Sequence, residues 1–109
     1  MIGINNVTVS GMILEQPTYT LLEETQQPFA VIKIHHSNYD GDKKKHSFTI
    51  KVKAFGNIAD YIDTELMAGD SVLVSGVLCT SNMPYNGGYV AMPYIKALAV
   101  TKLEQEKYL

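Results

Sequence analysis

His46–Leu66, HSFTIKVKAFGNIADYIDTEL, changes its hydrophobic period once, at a glycine. Up to Phe55 the side chains alternate: Phe48, Ile50, Val52 and Ala54 fall on one side, and Thr49, Lys51, Lys53 and Phe55 on the other. A period of two with one apolar and one basic face is the pattern of a half-buried strand. Gly56 closes that strand, and Asn57 suits the N-cap of a helix over IADYIDTEL. In that segment Ile58, Tyr61, Ile62 and Leu66 return at helical spacing, and Ala68-Gly69-Asp70 ends it.

Working outward, only strands flank this switch. Upstream, Ala30, Ile32 and Ile34 share one face and Val31, Lys33 and His35 the other, which predicts a strand over Phe29–Ser37. The polar run Asn38–Lys45, NYDGDKKK, carries an Asp-Gly turn signal and separates it from the strand that begins at His46. Earlier still, Val7-Thr8-Val9-Ser10 alternates, and Thr18–Leu22 continues it or forms a short strand of its own after the break at Gln16-Pro17. Downstream, a strand is predicted from Ser71 to about Ser81, then a hairpin loop over Asn82–Gly88, then a last strand from Tyr89 towards Leu103. Pro93 cannot donate a ladder bond, so an edge position or a bulge is expected there.

Three strands, one helix and two more strands, in a chain of 109 residues, leave no room for a parallel sheet with crossover helices. The economical solution is all-β with one short helix: a five-stranded Greek-key β-barrel. In such a barrel the first strand pairs with the fourth. Both carry the same word, Val7–Gly11 VTVSG and Val72–Gly76 VLVSG, as two neighbouring strands with one bending task would: branched valines inward, a hydroxyl outward, a glycine at the kink. No other repeat lies between the copies, so a duplicated domain is not implied.

The totals agree with one soluble domain. Hydrophobic residues make up 46% and charged residues 18%, a globular balance, and there is no apolar run of about 18 residues and no basic-apolar leader. A cytoplasmic setting follows, in a cell or a virus-infected one. The net charge of −2 argues against a protein coated in positive potential. All nine basic residues are lysine, which grips phosphate as a point charge, whereas arginine is the usual reader of guanine edges.

Catalytic and metal chemistry find no footing. Cys79 is the single cysteine, so neither a disulfide nor a thiolate cluster can form within the chain. His35 and His36 are adjacent in a strand and point to opposite faces, and cannot share a metal. Ser10 and Ser75 stand in Val-Ser-Gly rather than in a nucleophile elbow, and there is no glycine-rich phosphate loop. We expect no enzyme activity, no cofactor and no metal.

A basic strand face with aromatic residues is instead what single-stranded nucleic acid needs: cations for the backbone, π-faces for the bases. Lys51, Lys53 and Phe55, with Lys33 and His35 on the neighbouring strand, supply both. Lys43, Lys44 and Lys45 lie in a loop expected to be mobile and able to close over a bound strand. Tyr85 and Tyr89, flanking NGG, offer further rings, and Met83 a flexible, polarizable surface.

Four stretches, INNVTVSGMILEQPTY, FAVIKIHHS, IKVKAFGNIADYI and LMAGDSVLVSGVLCT, cover most of Ile4–Leu103 in order. In their order and spacing they resemble the bacterial and phage single-stranded DNA-binding proteins and their primosomal replication B-type relatives. The resemblance implies an OB-fold over residues 1–105, with a short frayed tail at 106–109. It also implies sequence-independent binding of single-stranded DNA during replication, recombination or repair, and a homo-oligomer, with a tetramer favoured over a dimer. Replication or recombination proteins are implied partners, and a membrane is not.

The chain departs from the family in having no tryptophan. Thr49 stands where a tryptophan is common on the third strand. Tyr39 is one position from the aromatic near the end of the second, and Met83 occupies the place in the last loop. Phe55 alone stands squarely on a family aromatic position. The disordered linker and acidic tip of longer members are also missing, so recruitment of partners through such a tip is not expected. Two other readings of the same barrel exist: a scaffold of a replication assembly that binds DNA weakly, as in the primosomal relatives, and a purely structural subunit.

Overall fold

The structure, a computed structural model, describes residues 3–104; the tail expected at 106–109 lies outside the described residues. Six strands and one helix follow in order: β1 (Val7–Ile13), β2 (Thr18–Leu21), β3 (Pro28–Tyr39), β4 (Lys45–Phe55), α1 (Gly56–Glu65), β5 (Ser71–Tyr85) and β6 (Gly88–Lys102). β1 pairs with β5, β5 with β6, β6 with β4, β4 with β3, and β3 returns to β1 at Met12↔His35 and Ile13↔Ile34. The ring therefore closes through five strands, the OB-fold expected. β2 is the extra short strand, laid on β3 through Thr18↔Val31 to Leu21↔Pro28. With Leu14 N–H donating to the Lys33 carbonyl at 2.9 Å, β1 and β2 act as one interrupted strand along a single edge of β3.

Alternation decides what lies inside. Ala30, Ile32 and Ile34 of β3, Val52 and Ala54 of β4, Val72 and Val74 of β5, and Ile95 and Ala97 of β6 are buried, joined by Ile13. Every core residue is aliphatic, and each fully buried branched side chain contributes about 1.5–3 kcal/mol. α1 adds Ala59, Ile62 and, just beyond its end, Leu66 to the same core. It starts two residues earlier than an Asn57 cap would require. Its N-cap is Phe55, which makes no side-chain capping bond, and Asn57 sits exposed inside the first turn. Gly56, at φ +63°, turns the chain from strand to helix, and packing of the apolar face rather than a cap holds the helix in place.

The repeated word pairs with itself. Val7 faces Gly76, Val9 faces Val74 and Gly11 faces Val72, so a local two-fold axis relates the two copies. Each glycine lies where the other neighbouring strand comes close. A Cβ on Gly11 would lie 2.8 Å from the His35 carbonyl oxygen of β3; one on Gly76 would lie 2.1 Å from the Lys96 carbonyl oxygen of β6. At Gly76 the β5–β6 register also shifts, with Ser75 opposite Ala99 and Gly76 opposite Ala97, which leaves Leu98 as the bulged, exposed residue.

Two hairpins outgrow the barrel. β3 and β4 stay paired out to Tyr39↔Lys45, and β5 and β6 out to Tyr85↔Gly88. The predicted loop Asn82–Gly88 shrinks to Asn86-Gly87, both at positive φ, because the Asn-Gly pair makes a two-residue turn and the strands run on to it. Pro93 pairs with Thr80, whereas β6 meets β4 only from Tyr94 to Lys96, so the proline occupies the expected edge stretch. No helix among the described residues is long and apolar enough to cross a membrane.

Candidate functional site

The outer faces of β3, β4 and β6 carry the opposite alternation from the core, and the register lines their side chains up in rows. One row holds Lys33, Lys51 and Tyr94; the next holds Val31, Lys53 and Lys96. Lysines therefore stand directly opposite each other twice, Lys33↔Lys51 and Lys53↔Lys96. Like charges in such positions weaken a sheet, so this arrangement is not explained by stability. The fold partly compensates. Glu15 holds the Lys33 ammonium at 3.2 Å, the Lys53 ammonium lies over the Tyr94 ring at 4.1 Å, and that of Lys96 lies 5.6 Å from the Phe55 ring centre. Among the described residues Lys51 has neither an ion pair nor a ring partner.

Beside them opens a groove of about 360 Å³, lined by Lys33, Thr49, Ile50, Lys51 and Lys53 of β3 and β4, Ser81 and Met83 of β5, and Met92, Pro93 and Tyr94 of β6. A second cavity of about 350 Å³, lined by Glu15, Gln16, Thr18, Val31 and Ile32, shares Lys33 and Lys51 with it. The Lys33–Lys51 pair therefore borders both.

The residues expected from sequence divide into those the fold gathers here and those it does not. Lys33, Thr49, Lys51, Lys53 and Met83 line the groove. His35 stands one row along, its Nδ1 3.2 Å from Thr49 Oγ1, while His36 turns to the other face, with its Nδ1 2.7 Å from the Ser10 carbonyl. Phe55 is on the basic face but half-buried against Phe29, ring centres 5.1 Å apart. Tyr39 and Lys45 share that face at the far end of the β3–β4 hairpin, about 20 Å along the strands from Lys33 and Lys51 at ~3.4 Å per residue. Tyr85 follows Met83 on the same side of β5. Tyr89 pairs at the Pro84 rung and projects from the reverse of that hairpin, so the two loop tyrosines do not share a surface.

The loop with Lys43 and Lys44 is built around one carboxylate. Asp40 Oδ1 accepts from the backbone N–H of Asp42 and of Lys44, both at 2.9 Å, and Oδ2 lies 2.7 Å from His46 Nε2. The His46 contact, and after it the Lys44 amide, hold the Asp40 carboxyl below its ordinary pKa.

Sequence reading missed Tyr94, Lys96 and Met92 of β6, Phe29 of β3, and Glu15. The signal was present: Tyr94-Ile95-Lys96-Ala97 alternates as cleanly as β4, with Ile95 and Ala97 buried. Burial, followed by the neighbouring Cys79 thiol, raises the Tyr94 pKa above its ordinary value, so its ring is a neutral phenol across the physiological range. Among the described residues no three His, Cys, Asp or Glu side chains are grouped as a metal site. What the surface offers is cations at strand spacing, one ring in a groove wall, and methionines facing it: a geometry for a flexible polyanion with flat apolar groups.

Comparison with known proteins gives the family and the fold. The model of the "Single-strand binding protein family" matches residues 4–100. Among solved structures, a Plasmodium falciparum SSB, described as a complex with ssDNA, superposes with a TM-score of 0.83 at 20% identity, over 95% of this chain and 98% of that one. The small single-stranded DNA-binding protein of Streptomyces coelicolor gives 0.69 at 19%, over 89% and 92%. At these identities both describe the fold. No match was found among curated protein sequences.

Proposed function

Because the chain belongs to the single-strand binding protein family, we propose that it binds single-stranded DNA without sequence preference, protecting or organising it in replication, recombination or repair. The observation that carries this reading is the lysine band: Lys33, Lys51 and Lys53 line a groove, Lys33 opposite Lys51 and Lys53 opposite Lys96 in register, a placement that costs stability and serves an anion. Phosphates exchange their counterions for these lysines, and unstacked bases lie against the apolar and aromatic walls. Lys43, Lys44 and Lys45 reach the backbone of a longer strand from the hairpin end, with His35, Thr49, Phe55, Met83, Tyr39 and Tyr85 along its path on the same face, and Tyr89 meets it only where the strand wraps round the tip of the β5–β6 hairpin. The chemistry is binding, with no catalytic step, in the cytoplasm of a bacterial or phage-infected cell.

The absence of arginine fits this selectivity. Lysine neutralises phosphate without the planar fork that reads base edges, so affinity follows charge and stacking rather than sequence. We also infer a homo-oligomer, a tetramer ahead of a dimer, supported by the apolar residues Met12, Leu73, Leu98 and Leu103 left exposed on β1, on β5 and at the end of the chain's last strand. Replication or recombination proteins are the partners such an assembly would meet.

The deciding experiment is a titration with labelled oligothymidine and with duplex DNA of equal length, at two salt concentrations, with light scattering on the same samples. Oligothymidine should bind more tightly, and replacing Lys51 and Lys53 together by alanine should flatten the plot of log affinity against log salt by about 0.7 per lost phosphate contact. Equal or tighter duplex binding would sink the single-strand reading, and a monomer at micromolar concentration the oligomer.

A further inference from the structure

We propose that Tyr94 is the base-stacking residue of the groove and that Lys53 covers its ring until a strand arrives. The inference rests on the single-strand reading above and assigns a residue and an exchange to it.

A ring that holds a base must be fixed in place, must offer one face, and must stand among cations. Tyr94 meets all three conditions. It sits in β6 with Lys51 of β4 beside it on one side and Cys79 of β5 on the other, in a part of the strand paired along both edges. It is half-buried, so its body is held by the sheet while the ring forms part of the groove wall. The other rings on the strand's path each fail one condition. Phe55 is engaged by Phe29 and does not line the groove. Tyr39, Tyr85 and Tyr89 stand on the hairpin arms, exposed to 70%, 67% and 77%, with no wall to fix them.

The face of Tyr94 is occupied in the free protein by the Lys53 ammonium, 4.1 Å from the ring centre. A cation and a base compete for one π-face, so a base can stack there only if the ammonium leaves. An ammonium displaced without a new partner would return. A nucleotide brings the partner with it: its phosphate takes the ammonium while its base takes the ring. Stacking and phosphate contact at this position are therefore one exchange, and an anion without a base cannot complete it.

The test uses the full chain and oligothymidine carrying 5-iododeoxyuridine, irradiated after binding and mapped by mass spectrometry of the tryptic peptides. An adduct is expected on Tyr94. Tyr94→Leu, which keeps the bulk and removes the ring, should abolish that adduct and weaken binding by about 5- to 150-fold with the salt dependence unchanged. Tyr94→Phe should bind like the parent, and Lys53→Met should keep the adduct while lowering the salt slope by about 0.7. Tight binding with adducts confined to Tyr39, Tyr85, Tyr89 or Phe55 would overturn the assignment and leave single-strand binding intact. No binding of oligothymidine by the parent would overturn both. Should Tyr94→Leu fail to fold, the adduct map of the parent still decides.

Discussion

Substituting Gly76 by alanine tests the strand that makes the barrel close. The added methyl carbon would lie 2.1 Å from the Lys96 carbonyl oxygen and 2.9 Å from its carbon. Ordinary contact begins near 3.4 Å, so oxygen and methyl would have to part by about 1.3 Å. Neither side yields cheaply. Lys96 is paired with Val77 of β5 and with Lys53 of β4, and moving it breaks ladder bonds on one edge or the other. Overpacking a tight site costs about 1–3 kcal/mol, and a backbone obstacle puts this one at the upper end. About 3 kcal/mol in a domain of this size lowers the melting temperature by about 10–15 °C. Urea unfolding followed by circular dichroism, with the thermal midpoint measured in parallel, reads both. Gly41→Ala is the control: nothing lies within 4 Å of its added carbon, and it should stay within about 0.5 kcal/mol of the parent. Gly11→Ala, at 2.8 Å from the His35 oxygen, should fall between the two. If Gly76→Ala were as stable as Gly41→Ala, the register of β5 against β6 would be wrong.

Two further outcomes concern charge. Glu15→Gln releases Lys33 from its carboxylate, so oligothymidine affinity at low salt should rise, by up to about fivefold for an exposed pair; weaker binding would mean that Glu15 positions Lys33 rather than competes for it. Asp40 has a depressed pKa, so the order it gives the β3–β4 loop is complete above the ordinary carboxylate value of 3.8 and is lost as pH falls through its lower folded value. Exchange protection of the Asp42 and Lys44 amides should vanish over that range; protection that persists well below it would show that Asp40 does not hold the loop.

Sequence carried the barrel because burial in a small sheet protein is written in alternation, and β3, β4 and β5 alternate without interruption. The pairing of β1 with β5 was legible as well, since one word serves both strands. Element ends were less so. The hairpins run to their turns because backbone pairing continues past the last apolar residue, and at Asn82–Tyr85 composition reads as loop although the ladder does not stop. The same physics divided the site. Lys33, Lys51 and Lys53 announce a basic face within single strands. That Tyr94 completes it depends on a parallel pairing between β4 and β6, two strands separated in the chain by a helix and another strand, and no local pattern encodes that contact. Pro93 obscured it further by marking the start of that segment as edge.

The parallel contact between β4 and β6 also sets an order of events as the chain folds. Val7 must find Gly76, and β6 must enter between β4 and β5 before either of those strands has both its neighbours. A topology so dominated by distant partners folds slowly, on the scale of ~milliseconds to seconds. During synthesis, β4 and β5 leave the ribosome with open edges that wait for β6. Both carry apolar alternation, and in that interval each is a template for the same strand of another copy. A second copy pairing in register on such an edge would set lysine against lysine, a like-charge contact that disfavours the misplaced strand before the barrel has closed.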